Sequence, residues 1–133
     1  RDAGADVLLN GDVALAQALG TGLHLRSAQL HEAHITEQVA AFKSGGRLVA
    51  ASCHDARELV CAQALGCDFT VLGPVLRTAT HPQASGMGWD AFARMREQVA
   101  MPIYAIGGLG IRDIGVARRH GAQGIAAIRG LWG

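Results

Sequence analysis

The sequence predicts an α/β fold in one domain over residues 1–133, with short buried strands alternating with helices around a parallel sheet. Three observations carry that expectation. Four segments share one shape, a glycine, one or two small or polar residues and then an apolar burst: they start at Gly4, Gly20, Gly66 and Gly121. Stretches of helical character lie between the bursts, and glycine is the residue that ends a helix with positive φ. The chain is 50% hydrophobic but only 5% aromatic, so its core must be built from Val, Ile, Leu and Ala, as in buried parallel strands.

The first burst, Val7-Leu-Leu, ends at Asn10, and Asp12 caps a helix over residues 12–19. Gly20-Thr-Gly-Leu-His-Leu forms the second strand and ends at Arg26-Ser27. Residues 31–43 form the weakest helix candidate. Its His31-Glu-Ala-His34 reads as exposed helix surface, since a metal-binding pair on one helix face needs i,i+4 spacing. Arg47-Leu-Val-Ala-Ala-Ser is the third strand, leading to Ser52-Cys53-His54. Asp55 then caps a helix over 55–65 with Leu59, Ala62 and Leu65 on one face. The Gly66 burst ends at Gly73-Pro74, ahead of a long loop from Leu76 to Gly88. A helix over 89–99 follows, in which Trp89, Asp90, Met95 and Arg96 are ordinary amphipathic residues. Pro102-Ile-Tyr-Ala-Ile runs into Gly107-Gly108, a helix covers 112–119, and the Gly121 burst ends at Arg129-Gly130.

Six strands alternating with about five helices are βαβ units. Six strands do not close an eight-stranded barrel, so two architectures stand. One is an open doubly wound sheet. The other is a barrel whose first two βα units lie upstream of Arg1, and the start just before a glycine-strand unit favours it.

A formal charge of +1 argues against a polyanion such as nucleic acid as the main partner, because such binders carry a basic stripe. Cys53, Cys61 and Cys67 are odd in number and lack CxxC spacing. That argues against a disulfide framework or structural zinc and for a reducing, cytoplasmic setting. There is no apolar run of about 18 residues, so no membrane span is expected.

In parallel α/β folds, ligands sit at the carboxyl ends of strands. Those ends hold small and polar residues although the strand bodies are apolar. Gly107-Gly108-Leu-Gly110 can turn backbone N–H groups toward a phosphate, helped by the helix start near Arg112. Arg129, at the end of the last strand, adds a charged donor. The motif is too short for a dinucleotide fingerprint. His54, beside Ser52, brings an imidazole, the side chain most used for proton transfer at neutral pH. In the 76–88 loop Arg77, Thr78, Thr80 and His81 can close on an anionic group.

Val71-Leu-Gly-Pro-Val-Leu-Arg-Thr-Ala-Thr-His, Pro102-Ile-Tyr-Ala-Ile-Gly-Gly and Gly121-Ala-Gln-Gly-Ile-Ala-Ala-Ile resemble the thiamine phosphate synthase/TenI-like thiazole tautomerase family. Leu8-Leu-Asn10, Gly22-Leu-His-Leu and Ala51-Ser-Cys-His54 match its middle strands. The resemblance implies a (β/α)₈ TIM barrel to which this chain supplies strands three to eight. It also implies a phosphorylated thiazole or thiamine-type ligand. Asn10, Ser52, Thr78 and Thr80 fall on substrate or diphosphate contacts, and Gly107, Gly108, Ile128 and Arg129 fall on the thiazole phosphate cradle. His54 falls on the tautomerase's proton-transfer histidine. The family's two magnesium-holding aspartates fall on Gly11 and Gln29, and a lysine falls on His81, so no cofactor is expected to be required, with magnesium kept as the alternative. The Ala-Ser-Cys-His and Thr-x-Thr-His-Pro wording also resembles barrels fused to an N-terminal Nudix (MutT-like) hydrolase, so beside a TenI-like tautomerase or a divergent synthase the alternative is a non-catalytic ligand-sensing domain attached to that hydrolase. A homodimer is a further expectation.

Overall fold

A computed structural model describes residues 8–76 and 86–126. Six strands form one sheet: β1 (Leu8–Asn10), β2 (Gly22–Leu25), β3 (Val49–Cys53), β4 (Phe69–Leu72), β5 (Ile103–Ile106) and β6 (Gly124–Ala126). Each pairs in parallel with the next in sequence, in the order β1-β2-β3-β4-β5-β6. A doubly wound sheet reverses its strand order at a switch point, and this sheet does not. Right-handed crossovers between strands in sequential order leave every helix on the same face. Of the two architectures left open by the sequence, the sequential order does not fit the doubly wound one.

The helices are α1 (Val13–Leu19), α2 (Ile35–Ser44), α3 (Ala56–Leu65), α4 (Gly88–Arg96) and α5 (Ile114–Arg119). Both aspartate caps form as the sequence predicts. Asp12 Oδ1 accepts from Leu15 N–H at 2.9 Å and Asp55 Oδ1 from Glu58 N–H at 2.8 Å. Gly20 and Gly66 follow α1 and α3 at φ 70° and 90°, as the repeated pattern requires. Trp89 stacks on His120 at 5.4 Å, joining α4 to α5.

The candidate helix over 31–43 needs correction. Ser27–His31 is a 3₁₀ turn, and α2 starts only at Ile35, after His34 in a left-handed conformation at φ 66°. Histidines 31 and 34 are exposed as expected, but they flank a cap and do not line a helix. The cause is local. Gln29 bonds back to the ends of both preceding strands, so the chain completes that turn before a helix can begin.

Strand alternation sorts the side chains. Leu23, Leu25, Val49, Ala51, Cys53, Leu72, Ile103 and Ala105 join Ala16, Val39, Phe42, Leu59, Ala62, Phe92 and Ala117 in one buried cluster between sheet and helices. The register puts Asn10, His24, Ser52, Val71, Tyr104 and Gly124 together on the other face. That face carries the partly exposed Phe69–Tyr104 edge-to-face pair, with ring centroids 5.6 Å apart. At the amino end of the sheet, Asp68 accepts from Val49 N–H at 2.8 Å, donates its own N–H to Val49 O at 2.7 Å and pairs with Lys43. Among the described residues, no helix is long and apolar enough to cross a membrane.

Candidate functional site

At the carboxyl ends of the strands the backbone stops pairing and polar groups are left over. One contact there joins neighbouring strands: His24 Nε2 on β2 lies 2.7 Å from Ser52 Oγ on β3. Both side chains are on the helix-free face, and burial lowers the His24 pKa from its ordinary value. His24 is thus held neutral near physiological pH, able to accept or donate a proton through the ring nitrogen that meets Ser52.

Sequence reasoning singled out Ser52 but missed His24. The signal was present, because Gly22-Leu-His-Leu is an apolar strand interrupted by a single titratable residue. Only the register, which sets His24 opposite Ala50 and so beside Ser52, turns that interruption into a pair.

His54 stands just past β3, in the bend before α3. Its backbone N–H donates to Glu58 Oε1 at 2.6 Å and its Nδ1 lies 3.2 Å from the same oxygen. The imidazole is 58% exposed while the Glu58 side chain is only 19% exposed. The carboxylate engages Nδ1, and among the described residues Nε2 has no partner. Cys53, between the two polar residues, points the opposite way into the core. Burial, reinforced by the nearby Glu58 carboxylate, pushes its thiol up to about 12, so it is no nucleophile.

Gly107 and Gly108 follow β5 at φ 105° and 69°. A Cβ on Gly107 would lie 2.5 Å from Pro74 Cα, so the loop after β4 can pack this closely only against glycine. That packing is pinned by Val75 N–H donating to Ile106 O at 2.9 Å and Leu76 N–H to Gly107 O at 3.1 Å. Among the described residues, the N–H groups of Gly107 and Gly108 have no protein acceptor, which keeps them available to an anion. The helix start near Arg112 contributes less than expected. It is a 3₁₀ turn, Ile111–Asp113, and Asp113 Oδ2 already takes the Gly110 N–H at 2.8 Å.

Asn10 is exposed at the end of β1, across the register from His24. Gly11 follows, and Gln29 is buried beneath it. Gln29 Nε2 donates to Gly11 O at 2.9 Å and Gln29 Oε1 accepts from Arg26 N–H at 2.8 Å. The structure therefore gathers Asn10, Ser52, His54, Gly107 and Gly108 at one end of the sheet and adds His24. Thr78, Thr80, His81, Ile128 and Arg129 lie outside the described residues.

Comparison with known proteins agrees with this architecture. A thiamine-phosphate synthase from Chloroflexus aurantiacus is 32% identical over 130 residues, covering 96% of this chain and 58% of that protein. Another, from Thioalkalivibrio sulfidiphilus, is 30% identical over 131 residues, covering 97% and 60%. The chain thus spans less than two thirds of these curated relatives. A solved thiamine phosphate pyrophosphorylase from Pyrococcus furiosus superposes with a TM-score of 0.69 at 24% identity, over 93% of this chain and 57% of that one. The FabK M276A mutant from Thermotoga maritima superposes at 0.73 with 12% identity, over 93% and 43%, a likeness of fold alone. The family model described as thiamine monophosphate synthase (TMP-TENI) matches residues 1–131, and the chain belongs to that family.

Proposed function

We propose that the protein, with this chain as strands three to eight of a (β/α)₈ barrel, binds a phosphorylated thiazole at the carboxyl ends of its strands. There it moves a proton between tautomers of that ligand. The carrying observation is the His54–Glu58 pair, 3.2 Å apart, with the imidazole open to solvent at the strand end where the family's substrates belong. In this reading His54 takes a proton from the thiazole carbon through Nε2 and returns it at the second position, while Glu58 holds the ring. Gly107 and Gly108 grip the phosphate with their backbone N–H groups, joined by Ile128 and Arg129. Thr78, Thr80 and His81 close over the ligand, Asn10 and Ser52 touch its body, and His24 holds Ser52 in place.

The intact protein should interconvert thiazole phosphate carboxylate tautomers, followed by the change in ultraviolet absorption. His54→Ala should slow this by about 10²–10⁴-fold. Full turnover in that variant would remove His54 from the reaction.

The names of the curated relatives favour a second reading, coupling of a pyrimidine diphosphate to the thiazole phosphate. An intact protein that never releases pyrophosphate from those two substrates rules it out. The Nudix fusion and the homodimer are proposals of the same standing; the residues upstream of Arg1 test one, and light scattering on the intact protein tests the other.

A further inference from the structure

We infer that Arg26 supplies the fixed cation for the bound phosphate group, at the place where the family resemblance implies magnesium; this rests on the phosphate-binding reading above. The donor set does not fit the metal. Magnesium takes hard oxygen ligands, chiefly carboxylates. Position 11 is glycine, and both ends of the Gln29 amide are spent on backbone, on Gly11 O and Arg26 N–H. The nearest carboxylate in sequence, Asp12, is engaged as the α1 cap. Among the described residues no three His, Cys, Asp or Glu side chains gather around a common point.

The same volume holds a cation of another kind. Gly11 has φ 80°, and a Cβ placed on it would lie 2.6 Å from Arg26 Cζ and 2.7 Å from Nη1. The guanidinium therefore lies across Gly11, in space that any side chain at 11 would claim. The far end of the arginine is flexible and could give way to a larger residue at 11, but the left-handed backbone there favours glycine as well. The absent side chain and the resting place of the arginine are one arrangement.

Arg26 continues β2 in an extended conformation, φ −75° and ψ 155°, so the alternation that sets His24 on the helix-free face brings Arg26 to that side as well. Its side chain is exposed, and among the described residues no carboxylate pairs with it. Arginine stays protonated at all physiological pH and offers a planar fork of donors matching two phosphate oxygens. It does so without recruiting an ion from solution. Arg26, just past β2, and Gly107–Gly108, just past β5, both stand at the carboxyl ends of the strands.

Calorimetric titration of inorganic pyrophosphate into the intact protein tests this without reference to turnover. Binding should persist in excess EDTA, with added magnesium giving no strengthening. Arg26→Gln should weaken it by about tenfold or more, and Arg26→Lys should recover part of the loss. A Gly11→Asp/Gln29→Asp double variant should bind pyrophosphate only when magnesium is present. Wild-type binding that vanishes in EDTA overturns the inference, as does an Arg26→Gln variant that binds like wild type. In either case the phosphate site itself still stands. Wild-type protein that binds neither pyrophosphate nor phosphate, with or without magnesium, removes the phosphate site and this inference together.

Discussion

The two ends of the sheet use polar residues in opposite ways. At the amino end, Asp68 spends its carboxylate on Val49 N–H and Lys43, and its own N–H goes to Val49 O, so β3, β4 and the end of α2 are bound together. At the carboxyl end, among the described residues, the Ser52 hydroxyl bonds only His24, the N–H groups of Gly107 and Gly108 have no acceptor, and the Arg26 guanidinium lies over Gly11. Polar groups that satisfy one another hold a fold together. Groups left with spare donors are what a ligand can use.

The contrast can be broken at either end. Asp68→Ala should cost about 2 kcal/mol in urea unfolding, because it strands the N–H of fully buried Val49, while leaving ligand affinity unchanged. If it weakened phosphate binding instead, the division between ends would fail. A smaller effect of opposite sign is expected midway along the sheet. Thr70 is completely buried on the helix side, and among the described residues its hydroxyl finds no partner. Thr70→Val should therefore stabilise the fold by about 1 kcal/mol, and destabilisation would mean the hydroxyl serves a contact after all.

The third effect is confined to acid. Burial lowers the His24 pKa, so below the ordinary value of about 6.5 the unfolded chain takes up a proton that folded His24 resists. Stability contributed by neutral His24 is complete above that value and is lost as pH falls through the lowered one. Thermal melts between about pH 8 and 5 should show a decline that His24→Gln flattens. An unchanged slope in the variant would assign the decline to another group.

Much of this was legible in residue order. The strands fall within the apolar bursts, and α1 and α3 run from their aspartate caps to Gly20 and Gly66, because caps and glycine stops act within a few residues. The start of α2 was misplaced because it depends on Gln29 reaching back 18 positions to Gly11 O. The helix start near Arg112 was credited with an N–H that Asp113 had already taken. His24 went unnoticed because inward and outward positions on an apolar strand are told apart only by its neighbours.

Composition, glycine spacing and caps establish a parallel α/β chain with small polar residues at its strand ends, since these signals are local and need no partner. The sequential strand order, the His24–Ser52 contact and the guanidinium of Arg26 lying over Gly11 needed strands from distant parts of the chain set side by side. Gly11 on β1's exit reads as an absence along the chain; beside Arg26 it becomes the room a cation occupies, because the two meet only when β1 pairs with β2.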